Sequence, residues 1–177
     1  MKVSMREVWI RPTEEMVEFY EKRTKEHIDR VAKSIHKLIS LGLPELNPEE
    51  LKTRTINHDL TKYGVDERVP YIWLTEFHRC KNESIPFEYP EGVEDVVRKA
   101  TLHHIKNNRH HPELHNSPSD MTNDDLAEMV CDHHAMSQEL GTDLIEWEKG
   151  VINKKWKFSD DQTKLIWKLI NLLEVKS

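Results

Sequence analysis

Apolar residues recur at three- and four-residue steps along most of the chain, the spacing of one face of a helix. The first stripe runs Val17, Tyr20, Thr24, His27, Val31, Ile35 and Leu38. Thr13 with Glu14 and Glu15 predicts its start, and Gly42 and Pro44 its stop. Asn47-Pro48-Glu49-Glu50 opens a second helix, with Asn as cap, Pro in the first turn and acids facing the helix dipole. The pattern predicts that it runs to about Lys62 and closes near Gly64. A third helix is predicted over 70–81, carrying Tyr71, Trp73, Leu74 and Phe77. Residues 82–92, with Pro86 and Pro90, read as a loop. A fourth helix follows, with Val93, Val97, Ala100 and His104 on one face.

Residues 108–121 are polar and broken by prolines. Thr122 with Asp125 three residues on caps a fifth helix. Its inward side reads Leu126, Met129, Val130, His133 and Met136, with Asp132 beside it, and Gly141 ends it. A short helix over 143–151 and a last one from the Ser159–Gln162 box through Leu173 complete the chain. No repeat, low-complexity tract or linker divides it. The expectation is an all-α fold, a single helical domain over 1–177.

Composition narrows the function. Lys and Arg number 26 against 32 Asp and Glu, a formal charge of -6, which gives no general pull toward a nucleic acid polymer or an anionic membrane. Mean hydropathy is -0.74, yet five Trp and many Leu, Ile and Val remain to fill a core. No apolar run approaches the roughly 20 residues that span a bilayer. The first twelve residues hold no apolar secretion core, so a cytoplasmic protein is expected. Two cysteines, Cys80 and Cys131, make no disulfide framework. Histidine changes the picture: there are 11, most of them between His78 and His134.

His58-Asp59 is the strongest local feature. His58 lies seven residues after Leu51 and points to the same inward side. An adjacent imidazole and carboxylate can grip one divalent cation. His27 interrupts the first apolar stripe, His103-His104 stand where the fourth stripe continues, and Asp132 borders the fifth. Burying these groups without a partner would cost several kcal/mol each, roughly, and a metal ion removes that cost. His, His-Asp, His and Asp over four helices is what a metal site inside a helical bundle requires.

The order His27, His58-Asp59, His103/His104, His110/His111 and Asp132 resembles the HD-domain superfamily of metal-dependent phosphohydrolases. The run Leu102-His103-His104-Ile105-Lys106-Asn107-Asn108-Arg109-His110-His111-Pro112-Glu113 is similar to one found in a bacterial and phage family of unknown function. The resemblance extends through Glu26-His27-Ile28, His58-Asp59-Leu60-Thr61-Lys62 and Glu128-Met129-Val130-Cys131-Asp132. It implies an HD-like bundle with a metal site between helices, the metal-site core over about 13–140 and the C-terminal helices over 142–175. His27, His58, Asp59 and Asp132 would hold a first ion, with Asp59 bridging to a second in binuclear members. His104 and His111 are the candidates for extra ligands, and the local sequence leaves open which of His103, His104, His110 and His111 coordinate.

The expected cofactor is therefore a divalent metal, one or two ions of Mn2+, Fe2+, Co2+, Mg2+ or Zn2+. The expected activity is hydrolysis of a small-molecule phosphate ester, a nucleotide first of all. Lys62, one turn beyond His58, and Arg109 are candidate phosphate contacts, and Glu113 a candidate proton shuttle. A second reading is an HD-type di-iron oxygenase that cleaves a C–C or C–P bond, since the high imidazole count suits iron. A third is a non-catalytic, metal-stabilised helical module. An amphipathic last helix can cover its own core or a partner's, so a homo-oligomer stays open.

Overall fold

Helices form where the sequence caps their ends and keeps one face apolar, and the computed structural model describes them over residues 11–175. In chain order they are α1 (Glu14–Ser40), α2 (Pro48–Asn57), α3 (Arg68–Asn82), α4 (Val93–Asn107), α5 (Asn123–Leu140), α6 (Leu144–Val151) and α7 (Asp160–Glu174). Short 3-10 turns occupy Leu60–Tyr63, Pro112–Leu114 and Pro118–Asp120. Among the described residues there is no strand, only one isolated bridge between Ile152 and Trp156. The fold is all-α. No helix among the described residues is long and apolar enough to cross a membrane. The N-terminal stretch read above for a secretion signal lies largely outside the described residues.

The caps act as their chemistry dictates. The Asn47 side chain accepts from the backbone N–H of Glu49 and Glu50. Thr122 with Asp125 and Ser159 with Gln162 both close capping boxes, and Gly141 ends α5 in the left-handed region at φ 63°.

The chain divides into two units, each made of separate stretches. One, the α3–α4 unit, comprises residues 11–25 and Asp59–Asn107. There α3 packs on α4, and Met16, Tyr20, Ile72, Trp73, Val93 and Val97 form the core. The other, the α5–α7 unit, comprises Glu26–His58 and the chain from Asn108 on. Here α5 packs against α2, α6 and α7 over a core that includes Val31, Ile35, Leu126, Met129, Ile166 and Ile170.

Two details depart from the pattern of the sequence. The second helix stops at Asn57 instead of running on to Lys62. His58 turns out of the helix at ψ 123°, and Asp59 adopts the left-handed conformation at φ 57° before the 3-10 turn begins. Aspartate tolerates this conformation better than most residues, and such local strain persists where surrounding contacts over-determine it. The second departure is in α5, which is buried on more than one side. Cys131, His134 and Ala135 are enclosed as well as Leu126 and Met129, whereas His133 and Met136 are only half-buried. Cys80 and Cys131 are both buried free thiols.

Candidate metal centre

In the α5–α7 unit three elements aim side chains at one another. His27 comes from α1, His58 from the turn that caps α2, and Asp132 from α5. His27 Nε2 lies 2.9 Å from Asp132 Oδ1 and 3.5 Å from His58 Nε2, and His58 Nε2 lies 3.7 Å from Asp132 Oδ1. His110, in the loop before α5, joins them, its ring centroid 4.6 Å from that of His58. His58, His110 and Asp132 each offer a ligand atom, all within 4.8 Å of one another. His27, His58 and His110 are buried, and the Asp132 side chain is 16% exposed.

The acids behind the imidazoles decide which nitrogen is available. Glu128 sits one turn before Asp132 on α5, and its Oε1 lies 2.9 Å from His58 Nδ1 and 3.3 Å from His110 Nδ1. A carboxylate on Nδ1 puts the proton there and leaves the lone pair on Nε2, the atom that faces His27 and Asp132. Arg54 holds Glu128 in turn: its Nη1 donates to Glu128 Oε2 at 2.9 Å and lies 2.8 Å from Asp125 Oδ1. Arg109 closes the network with two bonds to Asp125, Nε to Oδ1 at 2.9 Å and Nη2 to Oδ2 at 2.8 Å. Burial pushes the Glu128 carboxyl up, but its bonds to His110 and His58 outweigh that and hold it far below the usual range. Burial likewise opposes the charge on Asp132, and His27 and His58 more than reverse it. Every acid in the network is thus ionised with a partner.

This donor set fits a divalent cation. Donor atoms about 3–3.5 Å apart are what bonds of roughly 2.1 Å to a first-row metal impose. Two neutral imidazole nitrogens and one carboxylate oxygen are the right chemistry, and a carboxylate behind a ligating histidine is its usual support. Three protein ligands also leave coordination positions for water and substrate.

The α3–α4 unit holds a different cluster. Asp59 directly follows His58 in sequence but turns its carboxylate to Lys62 Nζ and, through Oδ1, to within 3.2 Å of His104 Nε2. The other nitrogen of His104 lies 2.9 Å from Glu67 Oε2, and Glu67 Oε1 lies 2.7 Å from His103 Nδ1. Burial opposes a charge on His104, but its bonds to Asp59 and Glu67 raise its pKa. Thr61 donates to Glu67 at 2.9 Å, and the Tyr20 hydroxyl donates to the Lys62 carbonyl at 2.7 Å.

Of the residues singled out in the sequence, His27, His58 and Asp132 come together in one unit, and Asp59, Lys62 and His104 in the other. The His111 ring lies 4.2 Å from that of His110, tilted by 40°, and the His110 ring lies 4.6 Å from that of His58. The Arg109 guanidinium is engaged by Asp125 through two of its nitrogens, leaving Nη1 on a side chain 54% exposed. Glu113 accepts from Lys155 Nζ at 3.1 Å and Trp156 Nε1 at 3.2 Å. His133 binds Glu148 at 2.8 Å and packs on Trp147 and Trp156. Sequence reasoning missed Glu128 and Arg54 as supports of His58. A signal existed for each: Glu128 stands four residues before Asp132, and Arg54 four before His58, the spacing of one helix face. Glu67 stands before α3, outside any periodic stripe, and offered no such signal.

No curated protein and no solved structure matches this chain. A sequence profile does match, over residues 16–172, nearly the whole chain. The chain belongs to that profile's family, DUF5662, a family of unknown function.

Proposed function

We propose that this protein is a metal-dependent hydrolase of a small phosphate ester, with nucleotides the first substrates to test. The observation that carries the reading is the convergence of His27 Nε2, His58 Nε2 and Asp132 Oδ1 in a buried, acid-backed cluster. These three residues would hold one divalent cation, with His110 beside them. When bound, the cation supplies Lewis-acid chemistry, polarising a phosphoryl oxygen and acidifying a water. The chain's own contribution is orientation. Glu128 fixes the proton on His58 Nδ1 and so keeps Nε2 a donor of electrons. Arg54 keeps Glu128 in place. Arg109, anchored by Asp125, can present Nη1 to a phosphate oxygen from the loop that carries His110. The resemblance of the histidine and aspartate order to the HD superfamily supports hydrolysis as the use of such a site.

A second reading draws on the same ligand set, because two histidines and one carboxylate also form the triad of non-haem iron oxygenases. One experiment separates them. The metal content of purified protein is measured, and phosphate release is screened over nucleotides and simple phosphate esters with Mn2+, Fe2+, Co2+, Mg2+ and Zn2+. The expected result is turnover that requires the metal and is lost in Asp132→Asn. Iron with oxygen uptake on adding a polyol or phosphonate, and no phosphate release, would favour the oxygenase. A bound ion with neither activity would contradict both.

A further inference from the structure

The α5–α7 unit carries a second concavity, about 500 Å3, bounded by the latter half of α1, the end of α5 and the end of α7. Its wall on α1 is made by Arg30, Lys33, Ser34 and Lys37, three and four residues apart and therefore on one helix face. Three cations face a single lining carboxylate, Glu174. In a chain of net charge -6 the lining itself holds more cations than acids, with Glu26 and Glu139 flanking Arg30.

One of these cations is anchored by hydrogen bonds, and a second is held between two acids. The Lys37 ammonium donates to the carbonyls of Leu173 at 3.1 Å and Val175 at 2.9 Å, tying it to the end of α7. Arg30 lies 3.6 Å from Glu26 and 3.7 Å from Glu139, both too long for hydrogen bonds, and its buried Nη1 has no acceptor among the described residues. That Nη1 faces Glu139 Oε2 at 3.7 Å, and an anionic oxygen in the cleft would give it a direct acceptor. Lys33 is exposed and has no ion-pair partner among the described residues.

The floor is a relay without net charge. The Gln138 amide faces His134 Nε2 at 3.2 Å, His134 Nδ1 lies 2.9 Å from Ser34 Oγ, and Ser34 donates to the Arg30 carbonyl at 3.2 Å. With Ser34 donating onward, Nδ1 carries the proton and Nε2 accepts from Gln138. These polar groups are used within the protein, so the cations alone carry the recognition of charge.

We propose that this cleft binds a small phosphorylated molecule, its phosphate on Arg30, Lys33 and Lys37 and its body against Leu173 and Val175. The volume falls in the range of small-molecule sites and exceeds what one inorganic phosphate fills. A polymer backbone calls for an extended basic stripe, whereas these cations line one concavity. The site is independent of the metal-dependent reading of the histidine cluster.

The test is calorimetric titration of the full chain with ribose 5-phosphate and with inorganic phosphate at constant ionic strength, with and without EDTA. Ribose 5-phosphate is expected to bind saturably, more tightly than phosphate, and with the same affinity in EDTA. Lys33→Glu, at an exposed position, and Arg30→Gln should each weaken it by roughly tenfold or more. No saturable binding of either probe up to about 10 mM would overturn the proposal. Binding that vanishes in EDTA and is untouched by Lys33→Glu would assign the anion to the histidine cluster and overturn it too.

Discussion

The two units treat their buried histidines in opposite ways. In the α5–α7 unit, Glu128 grips His58 from behind, on Nδ1, so that Nε2 is left to meet His27 and Asp132. In the α3–α4 unit both nitrogens of His104 face carboxylates, Glu67 on one side and Asp59 on the other, and Asp59 also pairs with Lys62. In the first arrangement the cation, Arg54, sits behind the supporting acid Glu128, and the Nε2 atoms of His27 and His58 face Asp132. The second already balances its acids with imidazole and ammonium. Under the proposed metal reading, the nitrogen left over after the supporting acids are counted is the one offered to a cation.

The sharpest way to break this contrast is to remove one side chain from each cluster. Asp132→Asn should weaken Mn2+ binding by more than about 100-fold, whereas His103→Ala should leave it within about twofold. Equal losses in calorimetric titration would erase the distinction. The next effect is on stability. Arg54→Ala takes from the buried acids Glu128 and Asp125 the cation they share, and should lower the unfolding free energy by about 3 kcal/mol in urea titration. Arg98→Ala, which breaks an exposed pair with Asp95 in the other unit, should leave the urea midpoint in place.

A subtler probe is Glu128→Gln, which keeps the shape but removes the charge behind His58. Metal affinity should fall about 10–100-fold, while Glu67→Gln should change it little. The smallest effect is on pH dependence. Burial pushes the Asp125 carboxyl up, but the Arg109 pair, the Thr122 backbone N–H and Arg54 outweigh it and leave the pKa lowered. A lowered carboxyl stabilises fully above its ordinary value of about 3.9 and loses that contribution as pH falls through the lowered one. The urea midpoint should therefore drop at pH below about 4, and Asp125→Asn should flatten that acid limb.

Much of this was legible in the chain, because helices answer to local rules. The stripe Val93, Val97, Ala100 and His104 is buried as its spacing predicts, and the boxes at Thr122 and Ser159 cap the helices they precede. His27, His58 and Asp132 were legible as a group because each stands on a face otherwise meant for the core. The break after Asn57 was not legible. Leu51, Arg54 and His58 keep the helical register, and the contacts that go with the turn, Glu128 on His58 and Lys62 with His104 on Asp59, are tertiary. The same limit applies to Arg109. Beside a histidine run it reads as a phosphate contact, and its pairing with Asp125, sixteen residues away, is a property of the folded unit.

The most direct test of the central claim is an X-ray structure of crystals grown with Mn2+, read from the anomalous difference map. A peak bonded to His27 Nε2, His58 Nε2 and Asp132 Oδ1 is expected. A map with no peak at those three atoms, in crystals where the ion is present elsewhere or in solution, would contradict it.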